Sequence, residues 1–136
     1  MLEIPAVPLH WTFPAAPASA GRARRSVAEA LPRGLAPHIG ADLALLTSEL
    51  VTNAVRYGAR PEDAEVIELV LWAADGHYWV AVSDPGVGEP RVGSPRPEGC
   101  GGRGLVLVDS LAAVWGVAPR RYRGKSVVAG LRLPDR

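Results

Sequence analysis

Apolar residues along the 136-residue chain follow two kinds of spacing. Between Pro37 and Tyr57, Leu43, Leu46, Leu50 and Ala54 recur every three or four positions, which predicts a long helix with one core-facing stripe. Gly58 and Pro61 follow it as stop signals. A shorter helix is predicted over about 20–31, with Val27 and Leu31 four apart, Ser19 as its N-cap, and Pro32 and Gly34 closing it. Ahead of it, Leu9-His-Trp-Thr-Phe13 predicts a short strand. Two β-rich runs, Glu65–Trp72 and Tyr78–Ser83, are joined by Ala74-Asp75-Gly76, and Asp-Gly between apolar runs predicts a hairpin. Residues 84–102 carry six Gly and four Pro and read as a long mobile loop. A third helix is expected at about 103–112, then strands at Val114–Ala118 and Ser126–Leu133 around an Arg-rich turn. The order β-α-α-β-β-loop-α-β-β predicts an α+β fold. It is a two-layer sandwich with helices on one face of a mixed, mostly antiparallel sheet.

Composition narrows the function. The chain is 48% apolar and 21% charged, the balance of a globular core, and its length suits a single domain over 1–136. Fifteen basic and 14 acidic residues leave a net charge of +1, which argues against direct nucleic-acid binding as the main activity. Fourteen of the basic residues are Arg, a bias that codon usage explains, and Lys125 is the only lysine. A single cysteine, Cys100, cannot form an internal disulfide, and His10, His38 and His77 are too scattered for a metal cluster. The N-terminus lacks the basic start and apolar run of a signal peptide, and no stretch approaches the ~20 apolar residues of a membrane span. A cytoplasmic protein without membrane contact is expected.

Two motifs fail on their context. Gly99-Cys-Gly-Gly-Arg-Gly104 fits G-x-G-x-x-G, but it follows a Pro-rich loop rather than a strand, and no acidic residue lies about 20 positions on. Gly124-Lys-Ser126 looks like the end of a P-loop, yet Pro119 stands where the first glycine belongs, and a strand rather than a helix follows. There is no G-x-S-x-G nucleophile elbow.

Three further pieces survive. In Glu49-Leu-Val-Thr-Asn53, spacing of four puts a carboxylate and an amide on one helix face beside the Leu46/Leu50 stripe. Polar groups at a core edge are costly unless they bind something; Mg²⁺ suits the Asn53 oxygen, and a water or hydroxyl suits Glu49. On its own this pair also reads as a solvated face. In Ser83-Asp-Pro-Gly-Val-Gly88 a strand ends on Asp84, whose carboxylate can accept from an exocyclic amine, while Gly86 and Gly88 allow a flat ligand close to the backbone. The plain alternative is a strand-to-loop turn. Gly101-Gly-Arg-Gly-Leu105 opens the last predicted helix, where free N–H groups and the positive dipole end favour a polyphosphate and Arg103 adds a charged contact.

In this order the three pieces resemble the N-box, D-x-G-x-G and G-x-G-L series of the GHKL (Bergerat-fold) ATPase superfamily, which includes gyrase, MutL and histidine kinases. Leu46-Thr-Ser-Glu-Leu-Val-Thr-Asn-Ala-Val-Arg-Tyr-Gly58 and Gly102-Arg-Gly-Leu-Val-Leu-Val-Asp109 look like the stand-alone anti-sigma-factor kinases of actinobacteria. Phe13-Pro and the closing Gly124-Lys-Ser-Val-Val strand extend the likeness over nearly the whole chain.

The resemblance implies an ATP site between the helices and a flexible lid at about 89–101. Asn53 would ligate Mg²⁺ bridging the phosphates, and Glu49 would act as general base. Asp84 would read the adenine amine with Gly86 and Gly88 under the base, while Gly102, Arg103, Gly104 and Leu105 would meet the phosphates. Ser126 would stand where the family often has a Thr near the adenine. Relatives of this type phosphorylate a serine or threonine of an anti-anti-sigma factor, sequester a sigma factor, and are commonly dimers. A histidine-kinase core is not expected, since no phosphoacceptor-His helix or sensor domain is evident. The alternative is a non-catalytic ATP-binding adaptor that sequesters its partner without phosphotransfer. The intact Glu49, Asn53 and Asp84 favour the kinase, while the short, Pro-rich lid works against ordering over phosphate.

Overall fold

A computed structural model describes residues 8–57, 65–86, 108–119 and 124–133. In chain order the elements are β1 (Leu9–Pro14), α1 (Ala18–Ala30), α2 (Pro37–Tyr57), β2 (Val66–Ala74), β3 (His77–Asp84), β4 (Val114–Pro119) and β5 (Lys125–Arg132). Residues 108–111 are helical, the described end of the third helix expected from the sequence. The strands form one sheet in the order β1-β2-β3-β5-β4. All four pairings are antiparallel, so the described sheet is not mixed.

The β2–β3 hairpin turns where Asp-Gly predicts. Asp75 has φ +53 and Gly76 φ +72, and positive values at both central residues match the right-handed strand twist that a two-residue loop must follow. From there, period-2 alternation assigns the faces. Ile67, Leu69 and Leu71 on β2, Tyr78, Val80 and Val82 on β3, and Val127, Ala129 and Leu131 on β5 are all buried. Helix α2 lays Ile39, Leu43, Leu46, Leu50 and Ala54 into the same cluster, and α1 adds Ala23 and Val27. Burying one such leucine contributes roughly 1.5–3 kcal/mol. This is the expected two-layer sandwich, with its helices on the inner face of the sheet.

Helix α1 starts differently from expectation. Ser19 lies inside the helix, not at its cap, which is Pro17 and makes no side-chain capping bond. The Ser19 hydroxyl instead donates to the Pro14 carbonyl at 2.6 Å and ties the helix to the end of β1. Proline lacks an N–H and suits a helix start, so the first turn can form upstream of the serine. The Arg22 guanidinium sits 5.6 Å from the centre of the Phe13 ring across the same junction.

Among the described residues one buried side-chain polar atom has no hydrogen-bond partner. Tyr78 is 1% exposed, and its hydroxyl is buried without a hydrogen-bond partner. Desolvation by burial raises its pKa from 10.0. The folded chain therefore holds this proton more tightly than the unfolded chain, and stability falls as pH rises above 10.0. Tyr78→Phe removes the orphan hydroxyl; it is expected to stabilise the protein by about 1 kcal/mol at neutral pH and to weaken the alkaline loss. Urea unfolding at pH 7 and above pH 10 measures both effects.

Candidate functional site

The site begins at the C-terminal end of β3. Asp84 is in phase with Tyr78, Val80 and Val82, so its side chain emerges on the inner, helix-covered face. It is 1% exposed. A carboxylate there needs compensation, because removing a charge from water costs several kcal/mol. Two donors supply it at the same oxygen. The Gly86 backbone N–H donates to Asp84 Oδ1 at 2.8 Å, closing a turn of the Asx kind across Pro85. The Lys125 ammonium donates to Oδ1 at 3.1 Å. Among the described residues these are its hydrogen bonds, so Oδ2 is left as an acceptor.

Lys125 reaches this carboxylate because of the strand register. In the antiparallel β3–β5 ladder Asp84 faces Lys125, and Ser83 faces Ser126. Directly opposed residues share a face, and successive residues alternate between faces. Lys125 therefore points inward with Val127 and Ala129, and is 5% exposed. Ser126 lies on the outer face, where its hydroxyl and that of Ser83 are 2.6 Å apart. Ser126, expected near the adenine, thus lies on the opposite face from the Asp84 carboxylate, and Lys125 stands beside that carboxylate. Sequence reasoning passed over this lysine as part of a failed P-loop. Counting the alternation back from Val127 would have placed it inward.

Gly124 makes the approach possible. Its φ is +96, and a Cβ there would run into the Asp84 carbonyl oxygen and lie 2.7 Å from Pro85 Cα. The start of β5 is thereby pressed against the strand end that carries the carboxylate.

Helix α2 supplies the opposite wall, packing against β2, β3 and β5. Asn53 falls in the buried stripe of α2, three residues after Leu50, and is 4% exposed. One turn earlier, Glu49 is half-buried at the flank of the stripe. The Thr47 hydroxyl is satisfied internally, donating to the Leu43 carbonyl at 2.8 Å. Gly88, Gly102, Arg103, Gly104, Leu105 and the expected lid lie outside the described residues. Among the described residues no three His, Cys, Asp or Glu side chains gather as a metal cluster, and no helix is long and apolar enough to cross a membrane.

A family model described as the histidine kinase-like ATPase domain matches residues 13–129. Blue-light-activated histidine kinase 1 of Erythrobacter litoralis (strain HTCC2594) is 32% identical over 101 residues, spanning 74% of this chain and 28% of that protein. The chain therefore covers little more than a quarter of this curated relative. Among solved structures, the histidine kinase domain of the E. litoralis EL346 blue-light activated histidine kinase aligns with a TM-score of 0.58 at 23% identity, covering 89% of this chain and 62% of that one. A second structure of the EL346 kinase aligns with a TM-score of 0.59 at 25% identity, over 89% of this chain and 42% of that one.

The geometry at the strand end gives a direct test. Gly124→Ala should cost at least about 2 kcal/mol, from the disallowed φ and the contact with Asp84. Gly116→Ala, where nothing lies within 4 Å of the added methyl, should stay within about 0.5 kcal/mol. Equal costs in urea unfolding would refute the close-approach argument.

Proposed function

The chain belongs to the histidine kinase-like ATPase domain family, and from that premise we propose that it is an ATP-dependent protein kinase with a regulatory role. The observation that carries the reading is the buried Asp84 carboxylate, held through Oδ1 and open at Oδ2, at the strand end facing α2 with Glu49 and Asn53. Oδ2 accepts from the adenine amine, and Gly86 brings the backbone up to the base. Glu49 takes the proton from the attacking hydroxyl as its oxygen bonds to the γ-phosphorus and ADP leaves. This is chemistry of positioning and charge neutralisation, which a rigid sandwich can supply.

The residues present fit a magnesium ion. Asn53 offers an amide oxygen on a residue only 4% exposed, a hard donor of the kind Mg²⁺ takes, and Mg²⁺ in phosphoryl-transfer sites takes few protein ligands, the rest coming from phosphates and water. Bound there, the ion neutralises phosphate charge. In this reading Gly88 joins Gly86 under the base, Gly102, Arg103, Gly104 and Leu105 meet the phosphates, and residues 89–101 form the lid.

The acceptor we favour is a serine or threonine of an anti-anti-sigma factor, with a sigma factor as the sequestered partner and a dimer as the working form. The N-box and glycine-box sequences around Asn53 and Gly104 support this assignment. Stability of the phosphoryl bond separates it from the histidine chemistry named for the relatives: phosphoserine survives acid, and phosphohistidine does not. Acid-stable label on the partner supports our reading. Partner binding without any transfer supports the adaptor.

Two outcomes are expected. Glu49→Gln should lower transfer from labelled ATP by about 10²–10⁴-fold, with nucleotide affinity changed by no more than a few fold. Asp84→Asn should abolish nucleotide binding in calorimetry; unchanged affinity would overturn the assignment of the base end.

A further inference from the structure

We propose that Lys125 is itself a base-reading residue, and that the Asp84–Lys125 couple admits guanine as well as adenine nucleotides. The inference rests on the preceding reading, in which Asp84 marks the base end of the site. Its basis is the unused hydrogen-bonding capacity of a buried pair. Lys125 and Asp84 are 5% and 1% exposed, so water supplies little to either. An ammonium carries three N–H donors. Among the described residues the one acceptor it meets is Asp84 Oδ1 at 3.1 Å. That same oxygen also takes the Gly86 N–H at 2.8 Å, which leaves Oδ2 as an acceptor. A carboxylate oxygen and an ammonium with donors to spare therefore lie side by side on the inner face, and buried polar groups of both kinds call for partners.

A carboxylate standing alone discriminates sharply. It accepts from the N6 amine of adenine and repels the O6 carbonyl of guanine, since two acceptors then meet. Adding an ammonium beside it removes that repulsion. The adenine edge presents a donor at N6 next to an acceptor at N1; the guanine edge presents an acceptor at O6 next to a donor at N1. Each offers one donor and one acceptor in neighbouring positions, in opposite order. Oδ2 and Nζ satisfy adenine as Oδ2 to N6–H and Nζ to N1, and guanine as Nζ to O6 and Oδ2 to N1–H. Lysine donation to guanine O6 is a common pairing in nucleic-acid recognition. Because the order is reversed, exchanging the two arrangements needs the Lys125 ammonium to cross to the other side of Oδ2 on its flexible four-carbon stem, or the base edge to turn end for end. Gly124 fixes the pair for this task by pressing the head of β5 against Asp84 and Pro85.

The test uses the unmodified protein first. Calorimetric titration with ATP, GTP and ITP, each with Mg²⁺, should give dissociation constants within about tenfold of one another, whereas a site that rejects a mismatched edge separates them by more than about a hundredfold. Lys125→Met should then cut GTP and ITP binding at least about tenfold more than ATP binding, with circular dichroism and thermal melting confirming the fold. If Lys125→Met does not fold, 1-deaza-ATP with the wild-type protein replaces it: loss of the N1 acceptor should weaken binding relative to ATP. GTP excluded while ATP binds, or an ATP-to-GTP ratio unmoved in Lys125→Met, would overturn the proposal and leave the ATP site standing. Binding of no nucleotide at all would overturn both.

Discussion

Placing the Asp84 carboxylate at 1% exposure costs several kcal/mol unless opposite charge and hydrogen bonds compensate it, and much of the local architecture follows from that demand. The compensation comes from two directions along the chain. Gly86 supplies a backbone N–H from two residues downstream, and Lys125 supplies a charge from 41 residues away in sequence. The second is available only if β5 pairs with β3 in one register. A slip of one residue would turn Lys125 to the outer face and bring Ser126 inward, so the ion pair and the apolar alternation of β5 select the same pairing. Removing either partner alone would strand a buried charge, which makes the pair a specifier of register more than a source of net stability.

The same alternation determines what faces the carboxylate. Helix α2 buries Leu43, Leu46 and Leu50 against β2, β3 and β5, and a helix that commits this stripe to the core carries Asn53 in with it. Asn53, at 4% exposure, is a polar group carried into that stripe, and a fold can tolerate such a placement where a ligand recovers its cost. Glu49, a turn away at the flank, stays half-buried, which suits the proton transfer proposed for it. The site is therefore a by-product of packing: the residues that stabilise the sandwich also aim its polar groups.

This explains which parts of the protein were legible beforehand. Helix α2 and the β2–β3 hairpin are written in local signals, the Leu43/Leu46/Leu50 spacing and Asp75-Gly76, and both appear where those signals put them. Asp84 was legible too, because a strand run followed by Pro and Gly announces an anchored carboxylate. The role of Lys125 was not, since it depends on a pairing between segments 41 residues apart, and its immediate neighbours imitate another motif. The outer-face position of Ser126 was hidden for the same reason: motif spacing fixes position along a strand, while the face follows from the register. Ser19 looked like a cap because residue type suits one, but Pro17 starts the helix earlier and the hydroxyl turns back to Pro14.

A family fold leaves room for such departures because its parts carry separable duties. In the proposed reading, charge neutralisation acts at the phosphates, base selection at Asp84 acts on the nucleobase and proton removal at Glu49 acts on the attacking hydroxyl, and phosphoryl transfer needs only that all three are held in one assembly. On the same proposed reading, a change at the head of β5 can therefore alter which base is admitted without disturbing how the phosphoryl group moves. The limit on that freedom is steric and electrostatic rather than chemical. The new side chain must satisfy Asp84 when no base is present, and it must fit the close approach that Gly124 permits. Lysine meets both conditions: its long stem packs along the inner face while its ammonium neutralises the carboxylate. An uncharged residue in that position would leave the buried carboxylate dependent on ligand for its compensation. The ion pair thus lets this strand end stay folded without a ligand, and in the proposed reading the same two groups are the ones left to choose what enters the site.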